Sequence, residues 1–268
     1  MKQMISLLTA VALIIGPVHF VDGKENKKSP EKKQQQIKIP KSVIDISKEN
    51  TYPNPSQDEP ELQPSEMTQA LLETSKVPIE NTNLIHLLNE SNINTSKLSL
   101  GYNAMIYLGK WPLSYQSKKT TVNWQYKKVN VNESDNRGGK GKQKLNFNQE
   151  KQMNVTGGLT AEVPSQKDVK KLMMMKASKH TNLPIAFSTI IGARTTADRI
   201  YHVEPKRVGH LEAYVPAVNE KGTVTYGEVY LGLDGGDKFI KVKNVTQQGI
   251  GAWIPVQDYV SLKYHASK

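Results

Sequence analysis

The chain has 268 residues, a formal charge of +11, 37% hydrophobic residues and no cysteine. Without cysteine there is no disulfide, no thiolate zinc or iron–sulfur site, no thiol nucleophile and no acylated lipoprotein anchor. The hydrophobic share is low for one compact body of this length, so part of the chain is expected to remain unfolded.

Residues 1–23 read as a secretory signal peptide. Lys2 gives a basic start, an apolar run extends from Ile5 to Phe20, and Gly16-Pro17 breaks it. Val21 and Gly23 then stand three and one back from a cut before Lys24. An uncleaved anchor is the alternative, although the run is shorter than the roughly 20 residues a spanning helix needs. The expected location is therefore extracytoplasmic: secreted, or at the membrane–wall interface.

Residues 24–64 read as a disordered linker. They are rich in Lys and Gln at first and in Pro later, and such a stretch buries too little apolar surface to offset its ordering entropy. The linker has eight Lys against seven acids, net +1, and Lys2 and Asp22 cancel in the leader, so 11 − 1 leaves about +10 on the rest. A domain this basic is drawn to anionic surfaces. Outside a bacterium these are teichoic-acid-type wall polymers and membrane head groups, and nucleic acid is not expected as a partner.

Residues 65–97 hold two short helices, Ser65 to Glu73 and Asn83 to Leu88, with apolar residues near helical spacing. Each is too short to stand alone, so each is expected to pack on the body or on a partner. From about Leu98 the pattern becomes that of strands. In TTVNWQYKKVNVN, Val122, Trp124 and Tyr126 alternate with polar residues. ESDNRGGKGKQ is a loop, and KLNFNQEKQMNVTGGLTAEV gives one or two strands with a bend at Gly157-Gly158.

Ser165 to Lys179 is predicted as the main helix. Ser165 is placed to cap it, Asp168 occupies the capping-box position, and Asn182 and Pro184 end it. Strands fill the remainder, and Asp234-Gly235-Gly236-Asp237 marks a tight hairpin. The fold class is α+β: a largely antiparallel sheet with one main packed helix and short N-terminal helices.

Candidate chemistry is sparse. Arg137, Lys140 and Lys142 lie in a Gly-rich loop able to meet a polyanion, but Gln143 follows Lys142, so the nucleotide-binding spacing fails. No local histidine pair has metal-ligand spacing, and no nucleophile elbow occurs. Neither a metal nor any other cofactor is expected. Glu212, Glu228, Asp234, Asp237 and Asp258 leave open a carboxylate pair assembled by the fold, as a wall-polymer or peptide hydrolase would need. Met173-Met174-Met175 point about 100° apart on a helix, so Met174 or Met175 is expected at a rim that suits an envelope protein partner. Trp253 in QGIGAWIPV is either core or an exposed aromatic ledge.

YLGKWPLSYQS, DNRGG, VTGGLTAEVP, the Met-rich helix, YVPAVNEKGTVTYGEVYL and VKNVTQQGIGAWIPVQDYVS together resemble the YfkD-like family of exported Bacillus proteins. The resemblance covers residues 98–268. It implies an extracytoplasmic protein of uncharacterised activity and supplies no catalytic residues. A binding role is favoured, with a hydrolase as the alternative.

Overall fold

The spine of the fold is one strand, β8 (Val208–Asp234), paired along both edges. One edge carries β2 (Asn103–Asp135) over its whole length. The other carries β10 (Tyr259–Ser267) at the start of β8 and β9 (Asp237–Pro255) along the rest. The computed structural model describes residues 37–51, 62–91 and 103–268. The predicted signal peptide lies outside them. Among the described residues no helix is long and apolar enough to cross a membrane.

Among the described residues every strand pairing is antiparallel, and the sheet order is β1 (Val43–Asp45), β10, β8, β9, β5 (Gly158–Leu159), with β2 on the free side of β8. β1 extends the β10 edge, and β5 caps β9. Two smaller ladders stand apart: β3 (Gln143–Asn148) with β7 (Thr196–Val203), and β4 (Met153–Thr156) with β6 (Ser188–Ile191). With three α-helices among the described residues, the architecture is α+β and dominated by sheet.

β2 shows how so long a strand stays within the fold. Straight, its 33 residues would reach on the order of 110 Å. Register shifts between Tyr107/Gly109, Pro112/Ser114, Ser117/Lys119, Asn123/Lys127 and Lys128/Asn130 bend and twist it instead. Each shift also changes which side chains face a given layer. Thus Leu113 enters one core and Tyr115 another.

Three cores hold the layers together. α3 (Gln166–Thr181) lays Val169, Leu172, Met173 and Ala177 on Val218, Val224, Ile250 and Ile254. The small ladders bring Leu145, Phe147, Val155, Ile191 and Val203 against Leu211, Val215, Val260 and Leu262. α1 (Glu66–Glu73) and α2 (Thr82–Glu90) place Leu71, Leu84 and Leu88 on Leu113, Val229, Leu231 and Ile240. The two short helices therefore pack on the body.

Two sequence expectations are corrected. The linker does not extend through residues 37–51. Val43–Asp45 hydrogen-bonds to Tyr259–Ser261, Ile46 is buried, and a 3-10 turn follows at Lys48–Thr51. Two apolar side chains, Val43 and Ile46, suffice because the β10 edge supplies partners that a linker lacks. Ser165 does not cap α3 with its side chain: its backbone is left-handed at φ 52. Asp168 instead accepts from the side-chain amides of Asn83 (2.7 Å) and Asn81 (3.3 Å), joining the starts of α3 and α2. The predicted stop is found, with Asn182 left-handed and its N–H donating to the Ser178 carbonyl.

Candidate binding face

The Asp234-to-Asp237 turn sets the register from which the site is built. Gly235 and Gly236 have φ of 55° and 108°, and Asp234 pairs with Asp237. Three rows then run across β2, β8 and β9: Met105–Gly232–Phe239, Tyr107–Tyr230–Lys241 and Lys110–Glu228–Lys243. Directly paired residues of an antiparallel sheet share a face, so these nine positions form one surface. The bulge at Leu108, with Gly109 at φ 111, brings Tyr107 and Lys110 onto that surface although they are three positions apart.

The opposite face holds Val229, Leu231, Ile240 and Val242 in the α1–α2 core, which fixes the sheet from beneath. The upper face is open: Tyr107 is 55% exposed and Met105 44%, and all three lysines are exposed. Gly232 makes room for an aromatic ring, since a Cβ there would lie 2.2 Å from Phe239 Cζ. Tyr107 and Tyr230 stand 5.1 Å apart between ring centroids, tilted by 45°. Lys243 Nζ lies 4.7 Å over the Tyr230 ring, and the Tyr230 hydroxyl donates to Glu228 Oε2 at 3.1 Å. Burial and then Glu228 push the Tyr230 phenol up, which keeps it a donor. Three lysines against one glutamate leave a net +2 among tyrosine and phenylalanine rings.

Of the residues proposed from sequence, Glu228 alone lies on this face; the loop cations, Trp253 and the two methionines occupy separate places. Arg137 forks onto Asp135 (2.7 Å), and its hydrogen bonds hold the Asp135 carboxyl at about 2. Lys142 pairs with Glu204 at 2.7 Å, while Lys140 is exposed in the same loop. The loop is held by buried Asn136, whose amide donates to the carbonyls of Gly141 and Val203, both at 2.8 Å. Trp253 is half-buried in β9 and stacks on Tyr126 with centroids 5.1 Å apart. It sits opposite Asn219 whereas the loop follows the Asp135–Val208 pair, a separation of about 36 Å along β8. Met174 packs against the α3 core, and Met175 lines a cavity of about 240 Å³ with Leu72, Ile79, Ile85 and Leu172.

The five carboxylates are also dispersed. Asp234 and Asp237 lie at the hairpin tip, Glu228 in the open face and Asp258 in a cleft. That cleft, of about 540 Å³, also contains Asp45, Ser47, Asn50, Asp198 and Tyr259. Ser47 and Asp258 there have φ of 63° and 61°, and the Thr51 hydroxyl donates to Asp258. Burial, then Asp45 and Asp258, push the Tyr259 phenol up. Among the described residues no group of three or more His, Asp or Glu side chains is disposed to hold a metal ion.

Glu212 belongs to a structural network. Lys128 donates to it, and so does the Tyr214 hydroxyl at 2.6 Å; these bonds hold its carboxyl at about 2 instead of 4.5. A depressed folded value stabilises above the unfolded pKa, and that contribution disappears as pH falls from about 4.5 towards about 2. Glu212→Gln is therefore expected to flatten the dependence of stability on pH in that window. Denaturant titrations from pH 5 to pH 2.5 measure it, and parallel profiles for variant and parent would refute it.

The model of the family described as YfkD-like protein matches residues 40–268, beginning just before β1. The "Uncharacterized protein YfkD" of Bacillus subtilis (strain 168) is 59% identical over 234 residues, which cover 87% of this chain and 89% of that protein. A family match from residue 40 takes in β1 and the short helices, all of which contribute to the sheet or its cores. The chain belongs to the YfkD-like family.

Proposed function

We propose that this protein is an exported, non-catalytic envelope protein that binds an anionic polymer on its open sheet face. The observation that carries the reading is the set of Lys110, Lys241 and Lys243 around Tyr107, Tyr230 and Phe239. The leader and the net charge of +11 support it, because a basic protein outside the cytoplasm is steered towards polyanions. A protein partner at Met174 and Met175 is less favoured, because Met174 packs against the α3 core and Met175 lines a cavity walled by the chain's own helices.

Purified protein is expected to sediment with isolated anionic wall material at low salt and to be released as salt rises, since exposed charges are screened over about 8 Å at physiological ionic strength. Exchanging Lys110, Lys241 and Lys243 together for Gln should abolish most of this sedimentation, whereas Lys140→Gln should leave it intact. Absence of sedimentation at low salt, or an unaffected triple variant, would overturn the reading.

The cleft at Asp45, Asp198 and Asp258 favours a second reading, hydrolysis of wall polymer or peptide by a carboxylate. Release of product from isolated wall that Asp258→Asn abolishes would establish it in place of the first.

A further inference from the structure

We infer that the ligand of this face is a linear polyol- or sugar-phosphate chain, with its phosphates along β9 and its carbon framework across the tyrosine pair. This rests on the polymer-binding reading of the same face and names the polymer's chemistry.

The charges are spaced along one strand. Lys241 and Lys243 alternate on β9, so they point to one side about 7 Å apart. An extended chain whose phosphates are separated by a few hydroxylated carbons repeats its charge on a similar scale. Lys110 lies across β8 from Lys243, about 10 Å away, with Glu228 between them. That row therefore alternates plus, minus, plus.

Glu228 is the discriminating group. A chain of continuous negative charge, such as inorganic polyphosphate, is repelled by this carboxylate when it bridges Lys110 and Lys243. A chain with hydroxyls between its phosphates presents donors there. The Tyr230 hydroxyl uses Oε2, and the carboxylate has a second oxygen to accept from a ligand hydroxyl.

The rings supply the remainder of the selectivity. Tyr107 and Tyr230, with Phe239 in the adjacent row, offer flat apolar area to C–H faces and phenol edges to hydroxyls. Inorganic polyphosphate has no C–H surface to place on them. Lys243 is already held over the Tyr230 ring, so less side-chain freedom is lost when it meets a phosphate.

The test is a calorimetric titration of purified protein with three probes: a poly(glycerol phosphate) oligomer, sodium polyphosphate of equal charge and phosphatidylglycerol vesicles. The oligomer is expected to bind at least about tenfold more tightly than polyphosphate. Tyr107→Ala, at an exposed position, should remove most of that preference by weakening only the oligomer. Glu228→Gln should narrow it from the other side by strengthening polyphosphate. Thermal unfolding and circular dichroism of each variant confirm that it is folded. Equal binding of oligomer and polyphosphate, with Tyr107→Ala neutral, overturns this inference and leaves the polyanion reading standing. Preference for vesicles over both soluble chains also overturns it, assigning the face to lipid head groups. If no probe binds, both readings fail.

Discussion

Tyr115→Phe is expected to lower the free energy of unfolding by about 2–3 kcal/mol, the cost of removing a hydrogen bond to a buried charged group. Glu220 on β8 is fully buried beneath α3. Its Oε1 accepts from the Tyr115 hydroxyl at 2.9 Å and its Oε2 from Thr120 Oγ1 at 2.6 Å, both donors coming from β2. Burial, and then the charge of Glu220, push the Tyr115 phenol far up, so it stays protonated as a donor. Gly222 makes the arrangement possible, because a Cβ there would lie 2.5 Å from the Tyr115 hydroxyl oxygen and 2.2 Å from the Gln116 carbonyl. Phenylalanine keeps the ring and leaves Oε1 without this donor. Urea unfolding of the single variants and of the double variant with Glu220→Gln isolates the pair. A Tyr115→Phe protein within about 0.5 kcal/mol of the parent would show that this hydrogen bond contributes little to stability.

Phe147→Ala is expected to cost more, about 3–5 kcal/mol, from lost transfer free energy and the cavity left behind. Phe147 on β3 is fully buried among residues of β8 and β10 and is the largest wholly buried side chain of its core. It attaches the β3–β7 ladder to the main sheet. Polar contacts alongside are exposed: Asn130 and Asn132 each donate to the Asn148 carbonyl at 2.8 Å. Such bonds contribute about 0.5–1.5 kcal/mol each, so the ring is the larger contribution. Calorimetry on the alanine and leucine variants measures the effect, with leucine expected to recover more than half. An alanine cost below about 1 kcal/mol would mean that this ladder is not integral to the cooperative unit.

Much of the local structure was legible in the chain. Asp234-Gly235-Gly236-Asp237 announced the hairpin because only glycine adopts two successive positive φ angles without steric cost. Helix α3 was legible from its apolar spacing and its Asn182 stop. Its cap was not, because whether Asp168 turns to its own helix or to Asn81 and Asn83 depends on where α2 is packed. β1 was read as linker for a related reason: three residues cannot form a strand until an edge such as β10 is available.

The open sheet face shows the division most sharply. The alternation of Glu228, Tyr230 and Gly232, and of Phe239, Lys241 and Lys243, is written in the sequence and determines which side chains share a side of each strand. A strict two-residue period on β2, however, would place Tyr107 and Lys110 on opposite faces. The bulge at Leu108 reverses that, and only the pairing with β8 reveals the bulge. The loop cations Arg137 and Lys142 were conspicuous in the sequence; Asp135, two residues away, pairs with Arg137, and folding brings the distant Glu204 to Lys142. The sequence alone determined composition, charge, turn chemistry and strand alternation, because these depend on neighbours along the chain. Tertiary structure decided which charges stay exposed and which strands share a face, because ion pairing and register depend on residues far away in sequence.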